Sequence, residues 1–172
     1  MNLTVLKKFF ILLLLTIILK SVTVWSSDLE KIKIIKEEIY LDKISFFNFE
    51  NEAIKIKDEQ IEYYILNFWA SWCAPCIKEM KSLNELKNNL SEVKILSVSQ
   101  DADLNDAKNF FNRNSYDNIE KYYDYDKNTS KNFSLRGLPT TFIFTKNLKA
   151  LAKVEGIIQW DSDAFINWLK KN

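Results

Sequence analysis

The fold is decided by residues 63–76, which read YYILNFWASWCAPC. The first eight of these residues form a largely apolar run of strand length, as expected of a central strand that is buried on both faces. Directly after the run stand Cys73 and Cys76, the only cysteines of the 172-residue chain. Two cysteines three positions apart on the first turn of a helix have Cα atoms close enough for a disulfide bond, which can open and close with little backbone movement. The stretch therefore predicts a redox-active cysteine pair.

A helix is predicted to begin at this pair, because the apolar residues that follow recur every three or four positions. Pro75 suits the first turn, since its fixed φ is helical and its missing N–H would be unpaired there anyway. The helix N-terminus also stabilises a thiolate through its unpaired N–H groups and its dipole. The inward face of this helix is predicted to carry Ile77, Met80, Leu83, Leu86 and Leu90.

The patterns that follow predict one α/β domain with a mixed central sheet and helices on both faces. A second strand at 93–98 and a helix opened by Asp103 give a parallel, right-handed crossover after the first strand. Strands at 142–144 and 148–154 flank a tight turn and are therefore antiparallel. Ser162 is predicted to open a last helix.

The segment before the first core strand is predicted to form an extra β-hairpin. Residues 44–49 and 53–57 alternate between apolar and polar side chains around a polar turn, which is typical of two paired strands. Residues 28–43 are charged and rich in isoleucine without a clean period, and we interpret them as a spacer or a peripheral helix. The domain is thus expected to cover residues 44–172.

The first 27 residues are predicted to be a targeting segment. Lys7 and Lys8 precede an apolar stretch at residues 9–19, which is shorter than the about 20 residues that span a bilayer. Cleavage after Ser26 would make the segment a signal peptide, whereas Lys20 at the outer membrane face would suit a retained N-terminal membrane anchor. With either outcome we expect the domain to be periplasmic, or to face the periplasm from the inner membrane.

Composition excludes several classes of function. The chain contains no histidine, which removes the commonest general base, zinc and copper ligand, and proximal haem ligand. A structural zinc site would also need more ligands than one cysteine pair supplies. We therefore expect no metal and no cofactor. Residues 28–172 carry 21 basic and 23 acidic side chains, so nothing favours nucleic acid as a partner.

Two motifs resemble those of the exported thioredoxin-like proteins of the TlpA/ResA type. They are residues 67–76, NFWASWCAPC, and residues 136–142, RGLPTTF. The resemblance extends from the predicted hairpin to the C-terminus and implies a thioredoxin-like fold. It also implies that Cys73 is the exposed nucleophile and that Cys76 is shielded and resolves the mixed disulfide through which exchange proceeds.

The second motif is expected, by resemblance, to supply a loop that faces the cysteine pair. Pro139 resembles the cis-proline of the family, which offers the backbone of the preceding residue, here Leu138, to an incoming extended peptide. The alternative is an ordinary trans proline at the start of a strand. Gly137 is expected to support this loop. Trp72 is expected to shield the disulfide and contact the partner, with plain surface packing as the alternative.

Glu79 and Asn67 raise the question of proton transfer. Glu79 lies three residues after Cys76 and could tune or accept a thiol proton. We favour a solvated side chain beside Lys78 and Lys81, because charged helix residues usually face water. Asn67 stands where cytoplasmic thioredoxins have a buried acid, and an amide cannot carry a proton between thiols. Water or a carboxylate elsewhere would then have to do so.

The resemblance implies an exported thiol–disulfide oxidoreductase that reduces disulfides of particular exported proteins, such as apocytochrome c. A membrane thiol carrier would donate the electrons. Two alternatives remain open. The protein could be a thiol oxidant or isomerase of the same fold, because the reduction potential is not fixed by the residues between the cysteines. It could also be an exported binding module with a permanent structural disulfide, although so short a loop restrains little chain entropy.

Overall fold

The computed structural model describes residue 7, residues 28–56 and residues 60–172. The strands are β1 (Ile32–Ile34), β2 (Phe46–Phe47), β3 (Ala53–Ile54), β4 (Tyr63–Trp69), β5 (Val93–Ser99), β6 (Ile119–Tyr123), β7 (Thr140–Thr145) and β8 (Ala150–Glu155). The helices are α1 (Ala74–Asn89), α2 (Leu104–Arg113), α3 (Asn128–Asn132) and α4 (Asp163–Lys171), with a 3-10 turn at Leu41–Lys43. A six-stranded sheet has the order β1-β8-β7-β4-β5-β6, and β2 and β3 form a separate hairpin.

Strand β4 lies in the middle of the mixed sheet. It pairs in parallel with β5, with Leu66 opposite Leu96, and antiparallel with β7, with Phe68 opposite Thr140. Residues 64–69 of β4 are buried, as expected for a strand covered on both faces. The predicted thioredoxin-like α/β fold with its mixed sheet is confirmed.

Two hydrophobic cores cover the two faces of the sheet. Helices α1, α2 and α4 pack on one face, where Trp69, Phe110 and Trp160 are largely or fully buried. Consecutive right-handed crossovers through β4, β5 and β6 place α1 and α2 on the same face. The 3-10 turn, the β2–β3 hairpin and Phe133 at the end of α3 pack on the other face.

The segment at residues 28–43 differs from the expected spacer or peripheral helix. Strand β1 in this segment pairs antiparallel with β8, with Ile32 opposite Val154, and forms an edge of the sheet. The pairing continues irregularly, because the N–H of Ile35 donates to Leu151 and that of Ala150 to Ile39. The segment therefore provides hydrogen-bond partners for the backbone of β8. This requirement comes from the tertiary structure, and no period in the sequence of the segment indicates it.

The predicted signal peptide or membrane anchor at residues 1–27 lies outside the described residues, apart from Lys7. Residues 57–59, at the end of the predicted hairpin, also lie outside them. Among the described residues, none of the helices combines the length and the hydropathy needed to span a bilayer. Two further elements, β6 and α3, were not predicted, because β6 has only five residues without alternation, IEKYY, and α3 consists of charged and polar residues, NTSKN.

Candidate redox site at the start of helix α1

Cys73 and Cys76 form a disulfide at the N-terminus of α1, with their Cα atoms 5.3 Å apart. Cys73 is the N-cap residue, and its Sγ accepts a hydrogen bond of 3.3 Å from the backbone N–H of Cys76. Pro75 lies in the first helical turn, where no N–H is required. Cys73 keeps 5% of its surface exposed and Cys76 none. Both cysteines are therefore buried in the disulfide form, and only Cys73 keeps any exposed surface.

Two exposed apolar side chains lie close to the cysteine pair in the chain. Trp72 is 69% exposed, and Ile77 on the first turns of α1 is 39% exposed. The prediction that Ile77 belongs to the inward face of the helix is therefore wrong, whereas Met80 and the later members of that face are buried. Trp69, by contrast, is completely buried. Of the two tryptophans of the motif, Trp72 thus lies at the protein surface and Trp69 lies in the core.

The loop before β7 lies at the same end of the strands as the cysteine pair, because Thr140 at the start of β7 lies opposite Phe68 near the end of β4, in antiparallel register. The Leu138–Pro139 peptide bond is cis, the isomer that the resemblance implied. Leu138 packs against the core cluster that contains both cysteines. The carbonyl of Pro139 accepts a 2.9 Å hydrogen bond from the N–H of Gly156, which fixes this loop against the end of β8.

The two glycines of the chain differ in conformation. Gly156 has a φ of 87°, a left-handed value that side chains other than glycine rarely tolerate. Gly137 is exposed, and a Cβ placed on it meets no described atom within 4 Å. It lines a pocket of about 390 Å³ together with Leu138 and Arg136. Sterics in the free protein therefore require glycine at position 156 but not at position 137.

Glu79 is buried beside the disulfide-bearing turn, with only 2% of its surface exposed. Its Oε1 accepts a 2.8 Å hydrogen bond from Asn67 Nδ2, and its Oε2 accepts a 3.0 Å hydrogen bond from Trp160 Nε1. Burial raises the pKa of the Glu79 carboxyl to about 7, and the hydrogen bonds from Trp160 and Asn67 oppose that rise. The interpretation that we favoured from the sequence, a solvated side chain, is therefore wrong.

A pocket of about 430 Å³ between α1 and α4 reaches Glu79. Ser82 on α1 and Phe165 on α4 line it, together with the connection at residues 157–159. Glu79 thus lies at the wall of this pocket and is otherwise enclosed by protein.

Asn67 links Glu79 to the sheet. Its Nδ2 donates both to Glu79 and, over 2.9 Å, to Thr141 Oγ1 on the neighbouring strand. Its Oδ1 is buried without a hydrogen-bond partner in the described part of the chain. Asn67 therefore holds in place a buried carboxylate, Glu79, whereas the sequence left open whether water or a carboxylate elsewhere would carry a proton.

Asp101, which follows β5, is a buried acid that the sequence reasoning missed. Its two carboxylate oxygens accept hydrogen bonds from the N–H and hydroxyl of Ser71 and from the hydroxyl of Ser99, over 2.8–3.1 Å. Ser71 lies two residues before Cys73. The available signal was topological, because the carboxyl ends of two neighbouring parallel strands, β4 and β5, meet at one edge of the sheet.

Comparisons with known proteins agree with this geometry. A family model described as thioredoxin-like matches residues 60–150. The thiol-disulfide oxidoreductase ResA of Bacillus cereus strain ZK is 34% identical over 134 residues, which are 76% of this chain and 74% of that protein.

Two solved structures give the same result for the fold. A thiol-disulfide oxidoreductase from Bacteroides fragilis NCTC 9343 is 26% identical with a TM-score of 0.58, over 74% of this chain and 95% of that chain. StoA from Bacillus subtilis is 20% identical with a TM-score of 0.57, over 80% of this chain and 97% of that chain, which shows the fold alone.

Fold and cysteine pair together define a thiol–disulfide oxidoreductase with a thioredoxin-like fold. Within that class, this chain belongs to the thioredoxin-like family and is of the ResA type. Its membership of a family of oxidoreductases favours a redox-active disulfide over the alternative of a binding module with a permanent structural disulfide.

Proposed function

We propose that the protein is exported and reduces disulfide bonds in specific proteins outside the cytoplasm, using Cys73 to attack and Cys76 to resolve. The observation that carries this proposal is the difference in position and exposure between the two cysteines. Cys73 is the N-cap of α1 and retains exposed surface beside Trp72, whereas Cys76 is fully enclosed. A partner can reach the first sulfur, and only an intramolecular attack can involve the second.

The reaction starts from the dithiol form. The Cys73 thiolate attacks one sulfur of the partner's disulfide, that bond breaks, and the sulfur that leaves takes up a proton. Cys76 then loses its proton and attacks Cys73 Sγ, which releases the partner's second sulfur as a thiol. Two electrons pass to the partner, and the protein ends with the Cys73–Cys76 disulfide seen in the structure.

Glu79 is the proposed proton acceptor for Cys76. The two residues are three positions apart on α1 and therefore lie on the same face of the helix. A carboxyl with a pKa of about 7 is partly ionised at neutral pH and can both take up and release a proton. The 430 Å³ pocket gives that proton a way to solvent while a partner covers the disulfide.

The partner is proposed to dock as an extended segment across the loop before β7. Leu138 supplies backbone hydrogen-bonding groups, Pro139 shapes the loop, and Trp72 offers a flat apolar surface beside Cys73. Gly137 and the 390 Å³ pocket leave space next to Leu138 for the partner's side chains. Pro75 and Glu79 act on the cysteines themselves.

Export and the physiological partner rest on the sequence and on relatives. Residues 1–27 have the composition of a signal peptide or N-terminal membrane anchor, which would place the domain in the periplasm or facing it. By likeness to ResA, apocytochrome c is the proposed substrate and a membrane thiol carrier the proposed electron donor. Fusing residues 1–27 to a reporter enzyme that is active only after export tests the first point.

Equilibration with glutathione tests the direction of electron flow. A reductase is expected to have a potential near the about −270 mV of thioredoxin, whereas a value near the about −120 mV of DsbA would support the alternative of an oxidant or isomerase. Cys76→Ser should trap the natural partner as a mixed disulfide with Cys73, and identifying that partner names the substrate. Recovery of partners by Cys73→Ser instead would overturn the assignment of the attacking cysteine.

A further inference from the structure

Asp101 holds the segment that leads into Cys73. Its Oδ1 accepts hydrogen bonds from Ser71 N at 3.0 Å and from Ser71 Oγ at 2.8 Å. Its Oδ2 accepts from Ser71 N at 3.1 Å and from Ser99 Oγ at 2.8 Å. The whole residue is inaccessible to solvent. A buried carboxylate with both oxygens directed at one short segment fixes that segment in place.

Asp101 is itself fixed by the next strand along the sheet. Its backbone carbonyl accepts a 3.0 Å hydrogen bond from Tyr123 Oη and a 2.9 Å hydrogen bond from Lys127 Nζ. The adjacent Gln100 N–H donates over 2.7 Å to the carbonyl of Trp69, the last residue of β4. The ends of β4, β5 and β6 are therefore tied together directly behind the segment that carries the nucleophile.

The disulfide and the Asp101 contacts restrain the same cysteine. In the disulfide form Cys73 is held by its covalent bond to Cys76 as well as by the segment that Asp101 anchors. In the dithiol form the covalent restraint is gone, and Cys73 is held by its backbone hydrogen bonds with Ala70 and Ile77 and by the segment that Asp101 anchors through Ser71. The contacts thus matter more in one redox state than in the other.

We propose that Asp101 is a positioning residue for the attacking thiol, acting through Ser71 to hold Cys73 at the N-cap of α1 in the dithiol form. The proposal rests on Cys73 as the attacking cysteine in the proposed function and does not depend on the partner or on the direction of electron flow. Loss of the contacts destabilises the dithiol form more than the disulfide form. The equilibrium then moves towards the disulfide, and the pKa of the Cys73 thiol rises.

Two substitutions separate position from charge. Asp101→Asn keeps the shape, but it removes the negative charge and places an N–H₂ group where one oxygen accepts hydrogen bonds. Ser71→Ala keeps the charge and removes one donor. If Asp101 acts by position, both variants raise the Cys73 thiol pKa. If it acts only through its charge, Asp101→Asn lowers that pKa and Ser71→Ala leaves it unchanged, which would overturn the proposal.

The experiment measures three quantities on purified full-length protein: the equilibrium with glutathione, the thiolate absorbance of Cys73 against pH, and the denaturation midpoint of each redox form. We expect both variants to shift the glutathione equilibrium about three- to tenfold towards the disulfide, as expected for the loss of one hydrogen bond. The midpoint should fall further in the dithiol form than in the disulfide form. Ser71→Thr, which keeps the N–H and the hydroxyl, should restore wild-type values.

Asp124→Asn is the matched control for the contact with Ser71, because Asp124 is also a buried carboxylate next to the same strand ends, but it accepts its hydrogen bonds from Thr129, Ser130 and the side chain of Gln100. It should lower both midpoints equally and leave the glutathione equilibrium unchanged. If Ser71→Ala lowers the denaturation midpoint equally in both redox forms and leaves the glutathione equilibrium unchanged, Asp101 is a purely structural residue and the proposal is wrong. Ser71→Ala keeps the proposal testable even where Asp101→Asn fails to fold. A negative result here leaves the proposed exchange through Cys73 and Cys76 intact.

Discussion

The two sides of the disulfide differ in how each uses a buried carboxylate. On the outer side, Asp101 holds the segment before Cys73 with hydroxyl and amide donors on both oxygens. On the inner side, Glu79 lies beyond Cys76 and receives one donor on each oxygen, from Asn67 and Trp160. Both side chains are buried to nearly the same extent, since Asp101 is 0% and Glu79 2% exposed.

This difference shows that burial alone does not decide what a carboxylate does. Asp101 accepts hydrogen bonds from the backbone N–H and the hydroxyl of Ser71, so its contacts fix the position of the backbone before Cys73. Glu79 is placed among large apolar and aromatic side chains, where desolvation dominates and brings the pKa of its carboxyl to about 7. In the proposed mechanism, the outer side therefore positions the nucleophile and the inner side takes up a proton.

Replacing each of the two cysteines by serine in turn should have the largest effect on the difference between the two sides of the disulfide. In a reaction with an aromatic disulfide reagent, the wild-type dithiol should release two equivalents of coloured thiol, one from each step. Cys73→Ser should lose both releases, a fall of more than about a thousandfold, because the remaining thiol is enclosed. Cys76→Ser should release the first equivalent and keep the second as a mixed disulfide. Equal reactivity of the two variants would contradict the division into an outer and an inner side.

Glu79→Gln should slow the second release and spare the first. The amide keeps the size of the side chain but cannot accept the proton of Cys76, so we expect the second step to fall about a hundredfold at pH 7. The increase in rate that accompanies ionisation of Glu79 near pH 7 should also disappear from the pH profile. Stopped-flow absorbance resolves the two releases.

Glu85→Gln provides the control for this prediction, because Glu85 lies on the same helix and pairs with Asn88 at the surface. It should leave both releases at wild-type rates. If both steps slow equally in Glu79→Gln, Glu79 stabilises the helix as a whole. Its proposed role as the proton acceptor for Cys76 is then wrong.

The stability of the disulfide form should depend on pH through Glu79. The carboxyl has a pKa of about 7 when folded and 4.5 as its ordinary value, so the folded protein binds more protons between these values. The free energy of unfolding therefore falls as pH rises from 4.5 to 7, and by roughly 3 kcal/mol in all. Urea denaturation at pH 4.5 and pH 8 should show this loss in the wild type and not in Glu79→Gln.

Trp160→Phe is expected to have the smallest effect of these substitutions, and it changes the hydrogen bonding of Glu79 on the inner side of the disulfide. The substitution removes one donor from Glu79 while keeping an aromatic ring in the core. Because the hydrogen bond from Trp160 lowers the pKa of Glu79, its loss should move the pH profile of the second release upwards. The rate at pH 7 should fall about twofold, because a rise of about half a unit from a pKa of about 7 lowers the ionised fraction from about one half to about one quarter. Trp168→Phe, outside this network, should leave the profile in place.

The sequence was sufficient for the parts of the site that are local. Cys73, Cys76 and Pro75 follow one another at a strand-to-helix junction, so spacing and helix physics predict their arrangement. Glu79 could not be placed correctly in the same way, because its neighbours Lys78 and Lys81 make it look solvated. Its environment is set by Trp160, which lies 81 positions away, and no local pattern connects the two.

The fold shows the same division. The central strand β4 has a continuous apolar run and helix α1 follows it with buried residues every three or four positions from Met80 onwards, so both were predicted closely. Strand β1 was not predicted, because it forms to satisfy the open edge of β8 and carries a partly exposed Ile32–Ile34 segment with a weak period. Asp101 was missed because its importance depends on two strands ending side by side. Long-range pairing, and not local preference, decides each of these cases.

The long reach of the Trp160–Glu79 hydrogen bond also has a consequence for the order of folding. Cys73 and Cys76 are three positions apart and can meet as soon as α1 begins to form. Trp160 must close a loop of 81 positions, and Thr141 must pair with β4 across 74, both of which are slow by comparison. Under the proposed export, we therefore expect the chain to form its disulfide early and the contacts of Trp160 and Thr141 last, so that the nascent protein is oxidised before Glu79 is held in place.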